Sequence, residues 1–231
     1  MNNLPESVQA SRHYIGQRGQ TYARQHMQLS DVNWLGYAID ANSFRPYMQQ
    51  DDYLLDFGCG NGGMLRELSR HVKEAEGLEV NPASRALALA TGLRIYSCLS
   101  ELPGLPTYHK VVSNHVLEHV RDVYSTLLAL RTNLREGGVL VAKLPIDDIR
   151  QRRQRRWVKD DPDHHLWTWT PRLFANVLIE CGFDVSECRI ISQAWHPRLF
   201  PFYRTALRSP LLWLLSVLRN RRQLLAVGRK P

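Results

Sequence analysis

Cysteine is scarce. The 231 residues contain four, Cys59, Cys98, Cys181 and Cys188. Their spacing fits neither a zinc-ligand pattern nor a disulfide framework, so a disulfide-stapled fold is excluded and reduced thiols of a cytoplasmic protein are expected. No apolar run approaches the roughly 18 residues that a membrane-spanning helix needs. The opening Met1-Asn2-Asn3-Leu4-Pro5-Glu6 has no basic or apolar segment, so no secretory signal is read there. Acid is missing from two stretches. One carries Arg150, Arg152, Arg153, Arg155, Arg156 and Lys159; the other, residues 196–222, carries Arg198, Arg204, Arg208, Arg219, Arg221 and Arg222. The formal net charge is +8, which suits an anionic small substrate, an anionic membrane or nucleic acid.

Apolar residues make up 44% and charged residues 23%, ordinary values for one globular domain with a sizeable core. The organising stretch is Tyr53-Leu54-Leu55-Asp56-Phe57-Gly58-Cys59-Gly60-Asn61-Gly62-Gly63-Met64. An apolar run ends in an acid, glycines follow, and Met64, Leu65 and Leu68 then recur at helical spacing. The pattern predicts a buried strand, a tight glycine turn and a helix. Gly58, Gly60 and Gly63 also satisfy the dinucleotide pattern G-x-G-x-x-G. Asp56 argues against that cofactor, because a carboxylate beside the turn would oppose a pyrophosphate at the helix N-terminus. A cationic ligand would be favoured there.

Asp56-x-Gly58-x-Gly60-x-Gly62 resembles motif I of the class I S-adenosylmethionine-dependent methyltransferases. Ser113-Asn114-His115-Val116-Leu117-Glu118-His119-Val120 resembles the fourth-strand exit of the methyltransferase type 11 and type 23 domain families. The resemblance implies an α/β fold: a Rossmann-like, seven-stranded, mostly parallel sheet with an antiparallel last strand and helices on both faces. It implies S-adenosyl-L-methionine as cofactor, contacted by Asp56, Gly58, Cys59, Gly60, Gly62, Glu79, Val80, Leu99, Asn114 and His115. Glu79, about twenty residues past the glycines, ends a second strand and suits both ribose hydroxyls. The family usually holds adenine with an Asp where this chain has Cys98; Leu99 N–H remains, with Ser100 or Glu101 as substitutes.

Residues 1–50 read as a helical segment, either an extension packed on the core or a lid over the ligand with Tyr14, Gln17 or Tyr22 facing the pocket; residues 51–231 read as the methyltransferase domain. Strands are expected at Tyr53–Phe57, up to Glu79, Leu93–Tyr96, Val111–Ser113, Val139–Pro145, Phe183–Ile191 and 223–231. A helix spans Asp122–Leu134 and is expected to end at Gly137-Gly138. Thr170 and Pro171 should start another. His164 and His165 precede that start, in a loop that by resemblance crosses the substrate pocket; with His115 they are the candidate catalytic residues, since a neutral imidazole can accept the acceptor's proton. His119 is expected to pack structurally. His115, Glu118 and His119 lack the His-Glu-x-x-His order, and no metal is expected.

The reading is methyl transfer to an O or N atom of a small molecule, a sugar or lipid-linked metabolite. The fourth-strand exit lacks the Asp/Asn-Pro-Pro-aromatic pattern of base-amine methylation. The basic loop 146–170 keeps RNA methylation as an alternative, and Cys98 keeps a non-catalytic cofactor-binding interaction module as another. The amphipathic insertion 196–222 suits an anionic membrane surface. The sequence leaves the oligomeric state open.

Overall fold

A computed structural model describes residues 11–26, 31–146, 157, 159, 161, 164–193, 197–202, 205–218 and 222–231. Among these, seven strands form one sheet: β1 (Tyr53–Phe57), β2 (Glu74–Leu78), β3 (Arg94–Tyr96), β4 (Tyr108–Asn114), β5 (Leu134–Pro145), β6 (Asp184–Ser192) and β7 (Arg222–Arg229). The order across the sheet is β3-β2-β1-β4-β5-β7-β6. The pairs from β3 through β5 are parallel, whereas β7 is antiparallel to both β5 and β6. This is the expected fold. The chain winds outward from β1 to β3 and then returns to place β4 on the other side of β1. A ligand crevice opens where the order reverses, beyond the carboxyl ends of β1 and β4.

The helices are α1 (Gly16–His26), α2 (Asp31–Phe44), α3 (Gly63–Leu68), α4 (Pro82–Leu89), α5 (Val123–Asn133), α6 (Pro171–Glu180) and α7 (Arg208–Leu218). Alternation along β1 feeds two cores. Leu55 and Phe57 join Leu127, Leu130, Phe174 and Leu178 of α5 and α6 on one face. Leu54 joins Phe44, Leu65 and Leu68 of α2 and α3 on the other. Asn81 caps α4, accepting from Ala83 N at 2.9 Å with Pro82 behind it. Thr170 caps α6, accepting from Leu173 N at 3.2 Å, with Pro171 in the first turn as expected.

Three differences from the sequence reading have local causes. First, α5 ends before the glycines, because Leu134 is already extended at φ −77° and ψ 142°. Gly137, at φ 73°, instead lets the start of β5 turn toward the tail, its N–H donating to Lys230 O at 2.9 Å. Second, β4 is longer than expected, because Tyr108 is drawn into the sheet beneath Glu76, to which its hydroxyl donates at 2.6 Å. Third, α2 makes contacts that the sequence reading did not name. It packs on α3 and the glycine turn: Trp34 Nε1 donates to Glu67, and Asn61 Nδ2 donates to Tyr37 Oη at 2.7 Å. A Cβ on Gly63 would meet the Tyr37 ring at 2.4 Å, so glycine is required for that contact.

The basic run lies outside the described residues except for Trp157 and Lys159, as does the side chain of Tyr22. Within the insertion, α7 turns Trp213, Leu214, Val217 and Leu218 to solvent, the last 74% exposed. No helix among the described residues is long and apolar enough to cross a membrane.

Candidate active site

The β1–α3 turn is built from backbone. Gly58 (φ 80°), Gly60 (φ 57°) and Gly62 (φ 77°) all lie in the left-handed region that favours glycine. Gly58 is also hemmed in: a Cβ there would meet Val116 at 2.3 Å. Gly58 N and Cys59 N both donate to Leu78 O, at 2.8 and 3.0 Å, which ties the turn to the end of β2. That linkage brings Glu79 alongside. Its carboxylate accepts from Gly60 N at 2.9 Å and from Asn81 N at 2.7 Å. Each oxygen is thereby oriented and still has a lone pair for a ligand hydroxyl. Burial raises the Glu79 pKa, while the two N–H groups lower it.

A cavity of about 290 Å³ lies over this turn. Its walls come from the ends of β1, β2 and β4: Gly58 and Gly60, then Glu79, Val80 and Asn81, then Asn114, His115 and Val116. Cys98 and Leu99, beyond β3, close one side, and Ser11 and Tyr14 from the N-terminal segment reach the other. No lysine or arginine is among its described lining residues. Asn114 Oδ1 is a buried acceptor with no hydrogen-bond partner. A carboxylate aligned by two N–H groups suits a ribose diol, and the orphan acceptor suits a hydrogen-bond donor on the ligand. S-adenosylmethionine fits this donor set.

Of the residues expected at the cofactor, the cavity gathers Gly58, Gly60, Glu79, Val80, Leu99, Asn114 and His115. Asp56, Cys59 and Gly62 are not in its wall. Asp56 is fully buried in β1 with neither oxygen hydrogen-bonded. Burial first, and the Glu79 charge second, push its pKa up to about 8. Cys59 points under the sheet toward Gly77, where an added Cβ would meet its Sγ at 2.6 Å, and burial pushes its thiol up. Gly62 starts α3. Glu101, a suggested substitute for the adenine acid, folds back to accept from Ser97 N and Oγ and is not in the wall.

The histidines are arranged differently from expectation. His115 lines the cavity at φ 56°, a strained backbone for a non-glycine residue, held by its N–H donating to Lys143 O at 2.9 Å. His164 and His165 are not in the wall; His119 is. His164, at φ 43°, stacks on His13 with ring centroids 4.9 Å apart, and His165 lies 5.0 Å from the His119 ring. The two expected bases therefore stand behind His119. The Nδ1–H of His119 points to His164 O at 3.4 Å, so Nε2 accepts from the Tyr14 hydroxyl at 3.2 Å. Desolvation lowers the His119 pKa to about 4, which keeps the imidazole neutral. His119 was missed because a short 3₁₀ turn at Leu117–His119, rather than a helix, carries it back to the cavity. The signal lay in its four-residue separation from His115. Tyr14 faces the cavity as expected, whereas Gln17 is exposed.

Comparison with known proteins agrees with this fold. A family model described as a methyltransferase domain matches residues 35–187. No curated protein matches the chain. Among solved structures, the chain resembles one from the complex between the Haloferax volcanii Trm112 methyltransferase activator and a methyltransferase: 18% identity, TM-score 0.66, 92% of this chain and 97% of the other covered. A methyltransferase of Bacillus halodurans aligns at 15% identity and TM-score 0.60 over 83% of this chain and 99% of its own. Haemonchus contortus phosphoethanolamine N-methyltransferase 2, solved with S-adenosyl-L-methionine, aligns at 13% identity and TM-score 0.59 over 85% of this chain and 52% of its own.

Proposed function

Because the chain belongs to the methyltransferase domain family, we propose that it moves the methyl group of S-adenosylmethionine onto an oxygen or nitrogen of a small, lipid-linked acceptor. The observation that carries the first half is the Glu79 carboxylate, aligned by Gly60 N and Asn81 N at the wall of the cavity over the glycine turn. When bound, the cofactor supplies a methyl group on a sulfonium that is already a good leaving group. The protein's task is then chiefly alignment. Glu79 accepts the two ribose hydroxyls. The bare backbone at Gly58 and Gly60 admits the ligand closely. Val80 and Leu99 flank the adenine side, and Asn114 Oδ1 accepts from the cationic amino end. His115, held by β5, borders the acceptor.

The acceptor class rests on a different feature. The exposed apolar face of α7, in an arginine-rich stretch without acid, suits the surface of an anionic membrane. An acceptor carried by lipid would be presented there.

Calorimetric titration with S-adenosylhomocysteine tests the site, with NAD as control. Binding of the first and none of the second is expected. Glu79→Ala should weaken it by roughly 10- to 100-fold, the worth of charge-assisted hydrogen bonds. Equal affinity in wild type and Glu79→Ala would remove the diol clamp and with it this reading of the cavity.

A further inference from the structure

Glu118 is a fully buried carboxylate, and neither of its oxygens has a hydrogen-bond partner. Such a group is costly unless a proton, a water or a cation meets it. Imidazoles surround it. His119 Nε2 lies 3.7 Å from Glu118 Oε1, and His115 Nδ1 lies 3.5 Å from the same oxygen. His165 arrives from the loop before α6. Leu166 N and Trp167 N both donate to Glu118 O, at 2.8 and 3.3 Å, and Trp167 Nε1 donates to Val120 O at 2.6 Å. These bonds pin that loop onto the β4 exit. Glu118, His119 and His165 each offer one donor atom, and the three donors lie within 4.8 Å of one another.

We propose that Glu118, His119 and His165 hold one divalent transition-metal ion, of the zinc class, behind the part of the cavity wall that His119 lines. Two imidazole nitrogens and one carboxylate oxygen suit zinc, iron(II) or cobalt(II) better than magnesium or calcium. Ligand distances of about 2.1 Å place tetrahedral donors roughly 3.4 Å apart, so the set closes by about an ångström on loading. The contact of His119 Nδ1–H with His164 O orients the ring and leaves Nε2 to the ion, as outer partners of metal-bound histidines do. The Tyr14 hydroxyl occupies that lone pair and has to swing away. Three protein donors leave a coordination position open. His119 and His115 both line the cavity, so the open position takes an oxygen of the acceptor. This use of the ion rests on the methyl-transfer reading; its binding does not.

The test uses untagged full-length protein dialysed against zinc alone, with bound metal counted and cobalt(II) substituted for its visible spectrum. About one equivalent per chain is expected. Glu118→Gln and His165→Gln should each weaken zinc by at least about 10-fold. Tyr14→Phe should bind zinc as well as wild type or better. Far less than one equivalent in wild type overturns the site, as does unchanged affinity in both ligand variants. Titration with S-adenosylhomocysteine in parallel identifies variants that fold. Should neither ligand variant fold, the wild-type cobalt spectrum decides: four-coordinate bands support the site and a six-coordinate aquo-like spectrum overturns it. Zinc uptake without S-adenosylhomocysteine binding would keep the ion and sink the methyl-transfer reading; the reverse result would sink the ion alone.

Discussion

Asp56, the acid of the glycine-turn motif, lies outside the cavity wall. Its carboxyl is sealed in β1, and burial with the Glu79 charge raises its pKa from 3.8 to about 8. The folded state therefore keeps a proton through the interval between pH 4 and 8 in which the unfolded chain has lost it. Stability contributed by this proton is complete at low pH and falls as pH rises through that window. Asp56→Asn removes the titration. Urea unfolding at pH 5 and pH 8 should show the variant gaining a few kcal/mol on wild type at the higher pH. A pH-independent difference between the two proteins would show that Asp56 ionises normally in the fold. At this scale the sequence was a good guide to type and a poor guide to place. The glycine turn, Glu79 and Asn114 were legible because their spacing is local. The exclusion of Asp56 and Cys59 from the wall was not, since it depends on which face of β1 and of the turn each residue takes.

Among the elements, the least legible relation is the one between α2 and β5. Lys143, near the end of β5, is fully buried, with Nζ 2.6 Å from Asp40 Oδ1 on α2 and 3.2 Å from Gln193 Oε1 after β6. Gln193 in turn donates to Ile39 O at 2.7 Å. No periodicity announces a pair separated by a hundred residues, whereas the capping residue Thr170 acts within a turn and was readable. The consequence reaches the cavity, because Lys143 neighbours Asn114 in register and its carbonyl holds His115 N. Asp40→Ala leaves a buried ammonium poorly compensated and should cost about 3 kcal/mol, measured by chemical denaturation. The double variant Asp40→Ala/Lys143→Met should regain most of that loss. If the double variant is no more stable than Asp40→Ala, the cost comes from lost α2 packing and not from the stranded charge. The same single variant should weaken S-adenosylhomocysteine binding, since it loosens the strand end that carries Asn114.

For the whole molecule, the exposed apolar surface of α7 lies in a stretch of sequence rich in arginine. The net charge is +8, and residues 196–222 add six arginines without an acid. Within that insertion α7 leaves Trp213 65% exposed and Leu214, Val217 and Leu218 also facing water. A helix needed only to cover β6 would not keep so much apolar surface outside. Burial at the level of lipid headgroups, with arginines meeting anionic lipid, would remove it from water. Full-length protein should co-sediment with vesicles containing phosphatidylserine at low salt, release as ionic strength rises, and bind phosphatidylcholine vesicles weakly. Trp213→Ser/Leu218→Ser should reduce the bound fraction several-fold while leaving S-adenosylhomocysteine affinity intact, since α7 contributes nothing to the cavity wall. Absence from anionic vesicles, together with a dimeric mass in solution that the double variant converts to monomer, would assign the same face to a second copy of the chain and leave the lipid-linked acceptor without support.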